Sequence, residues 1–396
     1  MICNTTAADP MPGKHRLKRQ LSRRSDPARN ASNSSARRAS TTYELEVIYG
    51  LAEFAQEELC QHLGSDIRLL SSRRKDRVRF RYAGNAHELL QLRRSVAVYH
   101  VEHLNIPRPK ALLGHQHFQR LLGVIEQARA LHPSGSFKSF HISAAGADSS
   151  VFTRVKVEIE EHTGLRYSAE VGDLLLAVRP AQPVTDAASV AEDGWEVAVR
   201  LSPRPLSARP WRVCDMPGAL NGTVASAMMS LTRPSQQDRV MNLACGSGTL
   251  LIERLALSPV EQALGCDVDN AALACARQNL AASGYAGTVT LLHADATRVP
   301  LPTGWATTVC TDLPFGMLLG SHESNEAFYP SLLAEAGRLT VREGTLVVIT
   351  QEVRLFERVL ATHQEQWQMT RVIPIQLPAS TQAGSIRPRI YLLQRR

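Results

Sequence analysis

Between residues 239 and 394, apolar stretches short enough for strands alternate with longer stretches of helical spacing. This rhythm of strand, helix and strand predicts a parallel sheet with helices on both faces. The last two predicted strands have no helix between them, so they predict a hairpin that adds an antiparallel strand. The predicted strands are 239–244, 262–267, 288–292, 307–311, 345–350, 369–377 and 388–394, and the predicted helices are 249–257, 270–283, 325–341 and 353–362.

The front half has a different order of elements, which predicts two small α+β units. Pro107 and Pro109 mark the boundary between them, and a proline-containing linker after 203 leads into the second half. The first unit has predicted strands at 43–49, 67–71, 77–82 and up to 106, with helices at 51–63 and 86–95. The second unit has predicted helices at 110–131 and 149–163 and predicted strands at 136–144, 173–178 and 195–201.

The first 42 residues carry most of the net charge of +8. They hold nine Lys and Arg against two Asp, whereas the rest of the chain is almost neutral. Because they lack an apolar pattern that could build a core, they are predicted to form a disordered tail. The tail could attract phosphate groups or could simply be solvated. Its Arg- and Ser-rich composition is also similar to that of an organellar transit peptide.

Composition argues against several classes of protein. No stretch approaches the roughly 18 apolar residues that a membrane helix needs. The first 42 residues also lack the apolar segment of a secretory signal. The seven cysteines are scattered without a Cys-x-x-Cys pair, which argues against a zinc site and suits a reducing cytoplasm. We therefore expect a cytoplasmic monomer that binds neither a membrane nor a metal.

A loop of small residues, 242–249 (NLACGSGT), follows the first strand of the second half. Small residues let backbone amides approach a ligand where a helix begins. A dinucleotide motif would carry a third glycine, and the lysine of a phosphate loop is absent. The loop therefore indicates a ligand site of another kind, and the alternative is a tight strand-to-helix turn.

Carboxylates follow the next two strands. Asp267 lies 21 residues after Gly246, where a carboxylate can accept hydrogen bonds from a ribose diol. Asp269 either assists Asp267 or caps the helix that follows. Asp295 could accept a hydrogen bond from an adenine amino group, although an Asp that ends a strand is more often a turn former.

The fourth strand ends in 311–316 (TDLPFG), at the edge where open α/β sheets bind ligands. Asp312 can accept hydrogen bonds from an exocyclic amino group. Pro314 stiffens the loop, and Phe315 offers a flat surface for a nucleobase. The alternative here is a rigid apolar turn.

Four segments at strand ends together resemble the class I methyltransferases, namely 242–249, 265–269 (GCDVD), 293–296 (HADA) and 312–316 (DLPFG). Upstream, 209–212 (RPWR) and 217–225 (PGALNGTVA) resemble the lead-in of the THUMP-containing RNA guanine-N2-methyltransferases. The resemblance covers about 43–396 and implies a ferredoxin-like domain at 43–106, a THUMP RNA-binding domain at 107–203 and a Rossmann-like α/β methyltransferase domain at 204–396. Only the predicted disordered tail, 1–42, falls outside it.

The resemblance also implies S-adenosyl-L-methionine as the cofactor. The residues that it assigns to cofactor binding are Thr223, Asn242, Ala244, Gly246, Ser247, Gly248, Thr249, Asp267, Val268, Asp295, Ala296 and Asp312. Those assigned to catalysis are Asp312, Leu313, Pro314 and Phe315. Two positions depart from the family pattern: Asn242 stands where an acid is usual, and Leu313 replaces the commoner first proline.

The implied reaction is in-line methyl transfer to N2 of a guanine that is extruded from an RNA helix. The implied partner is tRNA, modified near its acceptor stem and held by the front half. Arg154, Lys156, Arg166 and Arg179 are the candidate RNA contacts there. Four alternatives stay open: a 23S rRNA guanine-N2 methyltransferase, a catalytically degenerate RNA-binding protein, an NAD-type dehydrogenase that uses the same glycine loop, and a methyltransferase that acts on a protein or small-molecule amine.

Overall fold

Two large β-sheets carry the fold of the residues that the structure, a computed structural model, describes. These residues are 40–72, 74–182, 194–314, 322–378 and 385–396. The predicted tail up to residue 39 and the predicted catalytic residue Phe315 lie outside them. None of the described helices combines the length and the apolar character that crossing a membrane requires.

The first sheet belongs to the front half. Its strands are β1 (Thr41–Glu46), β2 (Ile67–Leu70), β3 (Arg77–Tyr82), β4 (Ala97–Leu104), β5 (Ser139–Ala144), β6 (Arg166–Tyr167), β7 (Leu174–Pro180) and β8 (Trp195–Arg200). The accompanying helices are α1 (Ala52–Leu63), α2 (Ala86–Leu89), α3 (His115–Ala130) and α4 (Ser150–Thr163). The eight strands lie in the order β2-β3-β1-β4-β8-β7-β5-β6.

Pairing between β4 and β8 joins the two predicted front units into one sheet. The two strands run antiparallel, with Tyr99 opposite Arg200 and Leu104 opposite Trp195. One apolar core collects buried side chains from both units, among them Leu45, Phe80, Phe140 and Ile159. The residues predicted as a ferredoxin-like and a THUMP domain therefore share both a sheet and a core.

The second sheet belongs to the back half. Its strands are β9 (Arg239–Leu243), β10 (Gln262–Asp267), β11 (Val289–His293), β12 (Ala306–Asp312), β13 (Thr340–Thr350), β14 (Trp367–Pro374) and β17 (Arg389–Arg395), and a separate short hairpin is formed by β15 (Leu377–Pro378) and β16 (Ser385–Ile386). The helices are α5 (Gly222–Leu231), α6 (Thr249–Leu255), α7 (Asn270–Ala282), α8 (His322–Leu339) and α9 (Val353–Ala361).

The strand order of this sheet is β11-β10-β9-β12-β13-β17-β14. The pairs from β11 to β13 are parallel, and β17 lies antiparallel between β13 and β14. This confirms the predicted fold class, a mostly parallel seven-stranded sheet with a terminal antiparallel hairpin.

Alternating side chains of the second sheet enter two different cores. Val240 and Cys310 pack with α5, α6 and α7 on one face, and Met241 and Val309 pack with α8 and α9 on the other. Both faces are therefore covered, as the near-continuous apolar strands predict. The carboxyl ends of the strands are left to form a site.

Two predicted helices differ from the observed ones. The helix predicted at 86–95 ends after α2, because the amides of Arg93 and Arg94 donate to the carboxylate of Glu58 (2.8 Å each) rather than to a helical turn. The helix predicted at 110–131 begins as a 3₁₀ turn at Pro109–Leu113, and α3 starts only after Gly114.

Helix α5 was not predicted, although its sequence is apolar on every side. A helix of this kind belongs in the interior of a protein, and α5 is indeed sandwiched between the two halves. Its Val224 and Met228 share a core with Leu51 and Phe54 of the front half. The helix begins at Asn221, whose side chain accepts a hydrogen bond from the amide of Thr223 (2.8 Å).

A buried ion network also joins the two halves. Glu253 of α6 is fully buried and accepts hydrogen bonds from Arg93 of the front half (2.9 and 3.0 Å) and from Arg209 of the lead-in segment (2.8 Å). The guanidinium of Arg209 also donates to the carbonyl oxygen of Arg93 (2.5 Å). The front half is therefore fastened directly to the helix that follows the small-residue loop.

Two of the scattered cysteines are joined in the structure. Cys214 of the lead-in segment and Cys275 of α7 form a disulfide between positions 61 residues apart, which their spacing did not predict. Cys245, Cys266 and Cys310 are buried free thiols.

Candidate functional site

Backbone hydrogen bonds and strand pairing bring together the loops that leave the first four strands of the back sheet. The amide of Cys245 donates to the carbonyl oxygen of Cys266 (2.8 Å), and that of Ala294 donates to the carbonyl oxygen of Asp267 (3.1 Å). Strand β12 lies beside β9 with Thr311 opposite Leu243. The four predicted loop ends therefore meet at one edge of the sheet.

The small-residue loop has an unusual backbone. Ala244, Gly246 and Gly248 all have positive φ (49°, 51° and 80°). A non-glycine residue with φ in this range carries strain, which is characteristic of ligand sites. A Cβ built on Gly246 would meet no atom within 4 Å, whereas one built on Gly248 would lie 3.3 Å from the Cβ of Ala276. Gly246 therefore borders open space, and Gly248 is needed for close packing against α7.

Asp267 and Asp269 shape the turn after β10. The two carboxylate oxygens of Asp267 accept hydrogen bonds from the amides of Gly246 (2.9 Å) and Asp269 (3.0 Å). Each oxygen keeps a second lone pair, so a ribose can still be bound. Asp269 accepts from the amide of Ala271 (2.8 Å) and caps α7, which favours the cap over the assisting role.

Asp295 forms a turn of the kind that its position suggested. Its Oδ1 accepts hydrogen bonds from the amide and the hydroxyl of Thr297 (2.8 Å each). These bonds hold the pKa of Asp295 below its usual range. Its role toward an adenine stays a prediction, because the observed contacts serve the turn.

Val268 and Ala296 flank these acids in different ways. Val268 is 64% exposed, which is high for a valine, whereas Ala296 is buried. The ring of His293 donates through Nε2 to the carbonyl oxygen of Val268 (2.8 Å) and so ties the second loop to the third. Val268 therefore offers an apolar surface next to Asp267, where a base could pack.

The hydrogen bonds of Asn242 explain why an amide stands where the family pattern has an acid. Its amide nitrogen donates to the carbonyl oxygens of Leu243 (3.2 Å) and Cys310 (3.1 Å), which a carboxylate could not do. Its Oδ1 is buried without a hydrogen-bond partner. The side chain thus bridges β9 and β12 and retains one unused acceptor.

Other predicted cofactor residues have hydroxyls engaged in local contacts. The hydroxyl of Thr223 donates to the carbonyl oxygen of Ser95 in the front half (3.3 Å). Thr249 accepts from the guanidinium of Arg212 (3.1 Å) and lies 3.3 Å from the hydroxyl of Ser247. These three side chains are buried, so the structure gives them a role in packing the site, and their contact with a cofactor stays a prediction.

Asn279 of α7 was missed by sequence reasoning. Its Oδ1 accepts from the amides of Val213 and Cys214 (3.0 Å each), and its Nδ2 donates to the carbonyl oxygens of Cys214 (2.9 Å) and Ser247 (3.1 Å). The side chain thus binds the lead-in segment to the small-residue loop. An Asn within a helix of ordinary composition carries no local signal for such a role.

Asp312 ends β12 with an unsatisfied carboxyl group. Its Oδ1 is shielded from solvent and has no hydrogen-bond partner. Burial raises the pKa of Asp312 to about 8. A buried acceptor without a donor is costly for stability, and groups with perturbed pKa values gather at functional sites.

Leu313 restrains the loop in a way that a proline could not. Its amide donates to the carbonyl oxygen of Ile349 (3.0 Å), a hydrogen bond that a proline would lose. Its side chain is buried in the core beneath α8 and α9. The departure at this position therefore replaces the stiffness of a ring with a strand hydrogen bond.

Comparison with known proteins identifies the back half. Residues 209–380 match the family model described as RMKL-like, methyltransferase domain. The match begins at the arginine that pairs with Glu253 and includes all four loop ends. Residues 209–380 are therefore similar to a methyltransferase domain.

Curated relatives are similar over part of their length. The tRNA (guanine(6)-N(2))-methyltransferase THUMP3 of Homo sapiens is 28% identical over 196 residues, which cover 45% of this chain and 36% of the relative. The U6 snRNA (guanine-N(2))-methyltransferase THUMPD2 of Mus musculus is 29% identical over 156 residues (39% and 28%). The tRNA (guanine(6)-N2)-methyltransferase of Archaeoglobus fulgidus is 28% identical over 173 residues (37% and 43%). The chain thus spans less than half of each relative.

Solved structures share the fold over nearly the whole chain. The crystal structure of TrmN from Thermus thermophilus has a TM-score of 0.65 and 23% identity, and the superposition covers 90% of this chain and all of TrmN. The crystal structure of SMU.472 complexed with SAH has a TM-score of 0.58 and 13% identity, and the superposition covers 89% of this chain and 97% of SMU.472. The front half thus has a counterpart in these structures as well.

The described residues fit S-adenosylmethionine, the cofactor that the resemblance to class I methyltransferases implies. Gly246 leaves room where a side chain would intrude. Asn242 and Asp312 each hold a buried acceptor without a partner, and the exposed Val268 lies next to Asp267. Among the described residues no cluster of His, Cys, Asp and Glu could hold a metal ion.

Gly246→Ala should weaken cofactor binding at least about tenfold, because the added methyl group enters the open space beside the loop. The positive φ adds a stability cost of about 1–2 kcal/mol. Gly284→Ala is the matched control, since Gly284 follows α7 with φ of 81° and also has no atom within 4 Å of its Cβ. Calorimetric titration with S-adenosylmethionine should show the affinity loss only for Gly246→Ala; equal losses would contradict the placement.

One predicted RNA contact of the front half is corrected by the structure. Arg179 donates to Glu196 (2.6 Å) and Glu44 (2.8 Å), which are both buried in the first sheet. Its positive charge is therefore neutralised by carboxylates of the protein itself. Arg154 and Arg166 are exposed, and the ammonium of Lys156 lies 4.1 Å from the ring centre of Tyr167.

Proposed function

We propose that this chain is an S-adenosylmethionine-dependent RNA methyltransferase that forms N2-methylguanosine, with tRNA as its substrate. The observation that carries the proposal is the carboxyl group of Asp312 at the end of β12, whose Oδ1 is shielded from solvent and lacks a donor. An exocyclic amino group supplies such a donor. The names of the human and archaeal relatives, both tRNA (guanine(6)-N2)-methyltransferases, support guanine N2 as the acceptor.

The chemistry follows from the two acceptors at the end of β12. S-adenosylmethionine, when bound, supplies an electrophilic methyl group. The Asp312 carboxylate and the Leu313 carbonyl accept hydrogen bonds from the N2 amino group, which turns its lone pair out of conjugation with the ring. The N–C bond forms as the S–C bond breaks, and N2 gives up one proton. With a pKa near 8, the ionised form of Asp312 can receive that proton, and the ionised fraction rises from about one tenth at pH 7.

Access to N2 requires that the guanine leave its helix, at a cost of a few kcal/mol. We propose that the front half contributes by holding the RNA by shape and backbone. The ion network around Glu253 supports this role, because it keeps the front half in a fixed place relative to the small-residue loop. Phe315, which lies outside the described residues, stays the proposed platform for the extruded base.

A second RNA substrate is favoured by one observation, the similarity to U6 snRNA (guanine-N(2))-methyltransferase THUMPD2. The two candidates share the acceptor atom and differ in the RNA that the front half holds. We propose the cytoplasm as the place of action for the tRNA reaction.

The test is methyl transfer from labelled S-adenosylmethionine by the full chain to three RNAs without modifications: tRNA, U6 snRNA and ribosomal RNA. Nucleoside mass spectrometry should find N2-methylguanosine in tRNA. The label in U6 snRNA or ribosomal RNA instead would overturn the choice of substrate. Methylated adenosine, or no transfer to any RNA despite cofactor binding, would overturn the proposed reaction.

A further inference from the structure

The carbonyl oxygen of Pro314 is held by two side chains of α8. The amide nitrogen of Asn325 donates to it (3.0 Å), and so does the hydroxyl of Tyr329 (2.8 Å). The two donors are four residues apart and therefore share one face of the helix. Both are buried, with 1% and 0% of their surface exposed, although each carries a polar group. Two buried donors on one backbone oxygen within the predicted catalytic segment need an explanation.

The hydrogen-bonding direction of Tyr329 is fixed by its neighbours. The amide of Glu352 donates to the hydroxyl oxygen of Thr350 (3.0 Å), and the hydroxyls of Thr350 and Tyr329 are 2.9 Å apart. Because the single hydroxyl proton of Tyr329 goes to Pro314, Thr350 must be the donor to Tyr329. The chain of bonds therefore runs from the end of β13 to Pro314 without an unsatisfied member. Such chains reinforce each other in a dry interior.

These contacts complete the restraint of the backbone after Asp312. The amide of Leu313 is bonded to Ile349, which fixes the first peptide unit. The pyrrolidine ring fixes φ of Pro314. The remaining freedoms are rotations about φ and ψ of Leu313 and about ψ of Pro314, and the two donors on the Pro314 carbonyl oxygen limit all three because they anchor the far end of the segment. The direction of the Leu313 carbonyl is thereby set along with that of Asp312.

We propose that Asn325 and Tyr329 are positioning residues that hold the two acceptors at the end of β12 in the geometry of methyl transfer. Neither side chain needs to touch the substrate, since both act through the carbonyl group of Pro314. The inference rests on the proposed function, because it assigns the purpose of the restraint to that reaction. It predicts that loosening Pro314 slows the chemical step without weakening the binding of either substrate.

The first test is Tyr329→Phe, which removes one hydroxyl and keeps the ring. We expect kcat to fall roughly 10- to 100-fold, as misplacement of a reacting group does. KM for RNA and the affinity for S-adenosylmethionine should change less than about twofold. The matched control is Tyr391→Phe, because Tyr391 is fully buried in the same core and donates to Glu357 (3.0 Å), away from the loop. Its kcat should equal that of the wild type.

A second readout needs no catalytic activity. Hydrogen exchange at the Leu313 amide should quicken at least about tenfold in Tyr329→Phe and stay unchanged in Tyr391→Phe. Asn325→Ala, which removes the other donor, should shift exchange and kcat in the same direction. Equal exchange and equal kcat in Tyr329→Phe and Tyr391→Phe would overturn the proposal. If the wild type transfers no methyl group to RNA, the proposed function is wrong. Hydrogen exchange at the Leu313 amide would still show whether Asn325 and Tyr329 restrain Pro314.

Discussion

Asp312→Ala should lower kcat by roughly 10²- to 10⁴-fold while cofactor and RNA still bind, because it removes the carboxyl group that faces the amino group of the target. The kcat of Asp312→Asn should fall only about tenfold, since the amide oxygen still accepts a hydrogen bond.

The wild type and Asp312→Asn should also differ in the pH dependence of kcat/KM. Burial raises the pKa of Asp312 to about 8, so kcat/KM of the wild type should rise about tenfold from pH 7 to a plateau near pH 9. Asp312→Asn should lack this rise.

Stability provides an independent check on Asp312. In the unfolded chain the carboxyl group loses its proton near pH 3.8, and in the folded chain only near pH 8. Between these values unfolding releases a proton, so the wild type loses stability as pH rises from 4 to 8. Asp312→Asn has no such titration and should exceed the wild type by a few kcal/mol at pH 8, yet not at pH 4. If the difference in unfolding free energy between Asp312→Asn and the wild type were the same at pH 4 and pH 8, it would contradict the burial of this carboxylate.

Glu253→Ala should destabilise the protein by about 3–5 kcal/mol, the usual cost of leaving buried charges without a partner. Both Arg93 and Arg209 lose their carboxylate. Arg209, with 4% of its side chain exposed, cannot reach water without opening the junction of the two halves, whereas 27% of the Arg93 side chain is exposed. Chemical denaturation measures the change. At temperatures where the variant is still folded, methyl transfer to structured RNA should fall more than cofactor binding, because the front half is no longer held in a fixed position relative to the small-residue loop.

The control for this variant is Glu53→Ala. Glu53 also links the halves, through a 2.7 Å ion pair with Arg371, but 64% and 39% of these side chains are exposed. Exposed pairs contribute about 0–1 kcal/mol. A loss for Glu253→Ala as small as that for Glu53→Ala would show that the halves are held together by their apolar contacts alone.

The parts of the site that could be predicted lie at strand ends. Gly246, Asp267 and Asp312 follow apolar strands directly, and the carboxyl ends of adjacent parallel strands share one edge of a sheet. Position along the chain was therefore enough to bring them together. The class of the fold followed from the same rhythm, including the antiparallel β17.

The parts that could not be predicted depend on contacts between distant segments. Glu253, Asn279 and Tyr329 lie within helices of ordinary composition. Glu253 binds a partner 160 residues away, Asn279 binds a partner 32 residues away, and Tyr329 binds a loop. Helix α5 was missed because it has no polar face, so that helical periodicity gave no signal. The role of Asn242 depends on a carbonyl group of β12, a strand neighbour that only topology supplies.

The disulfide between Cys214 and Cys275 has a consequence for where the enzyme can work. The lead-in segment around Cys214 is also bound to α7 by Asn279, whose four hydrogen bonds reach Val213, Cys214 and Ser247. Cleaving the sulfur–sulfur bond removes one of two connections between this segment and α7, and the hydrogen bonds of Asn279 remain. We therefore expect the affinity for the methyl donor to be the same in a reducing and in an oxidising medium.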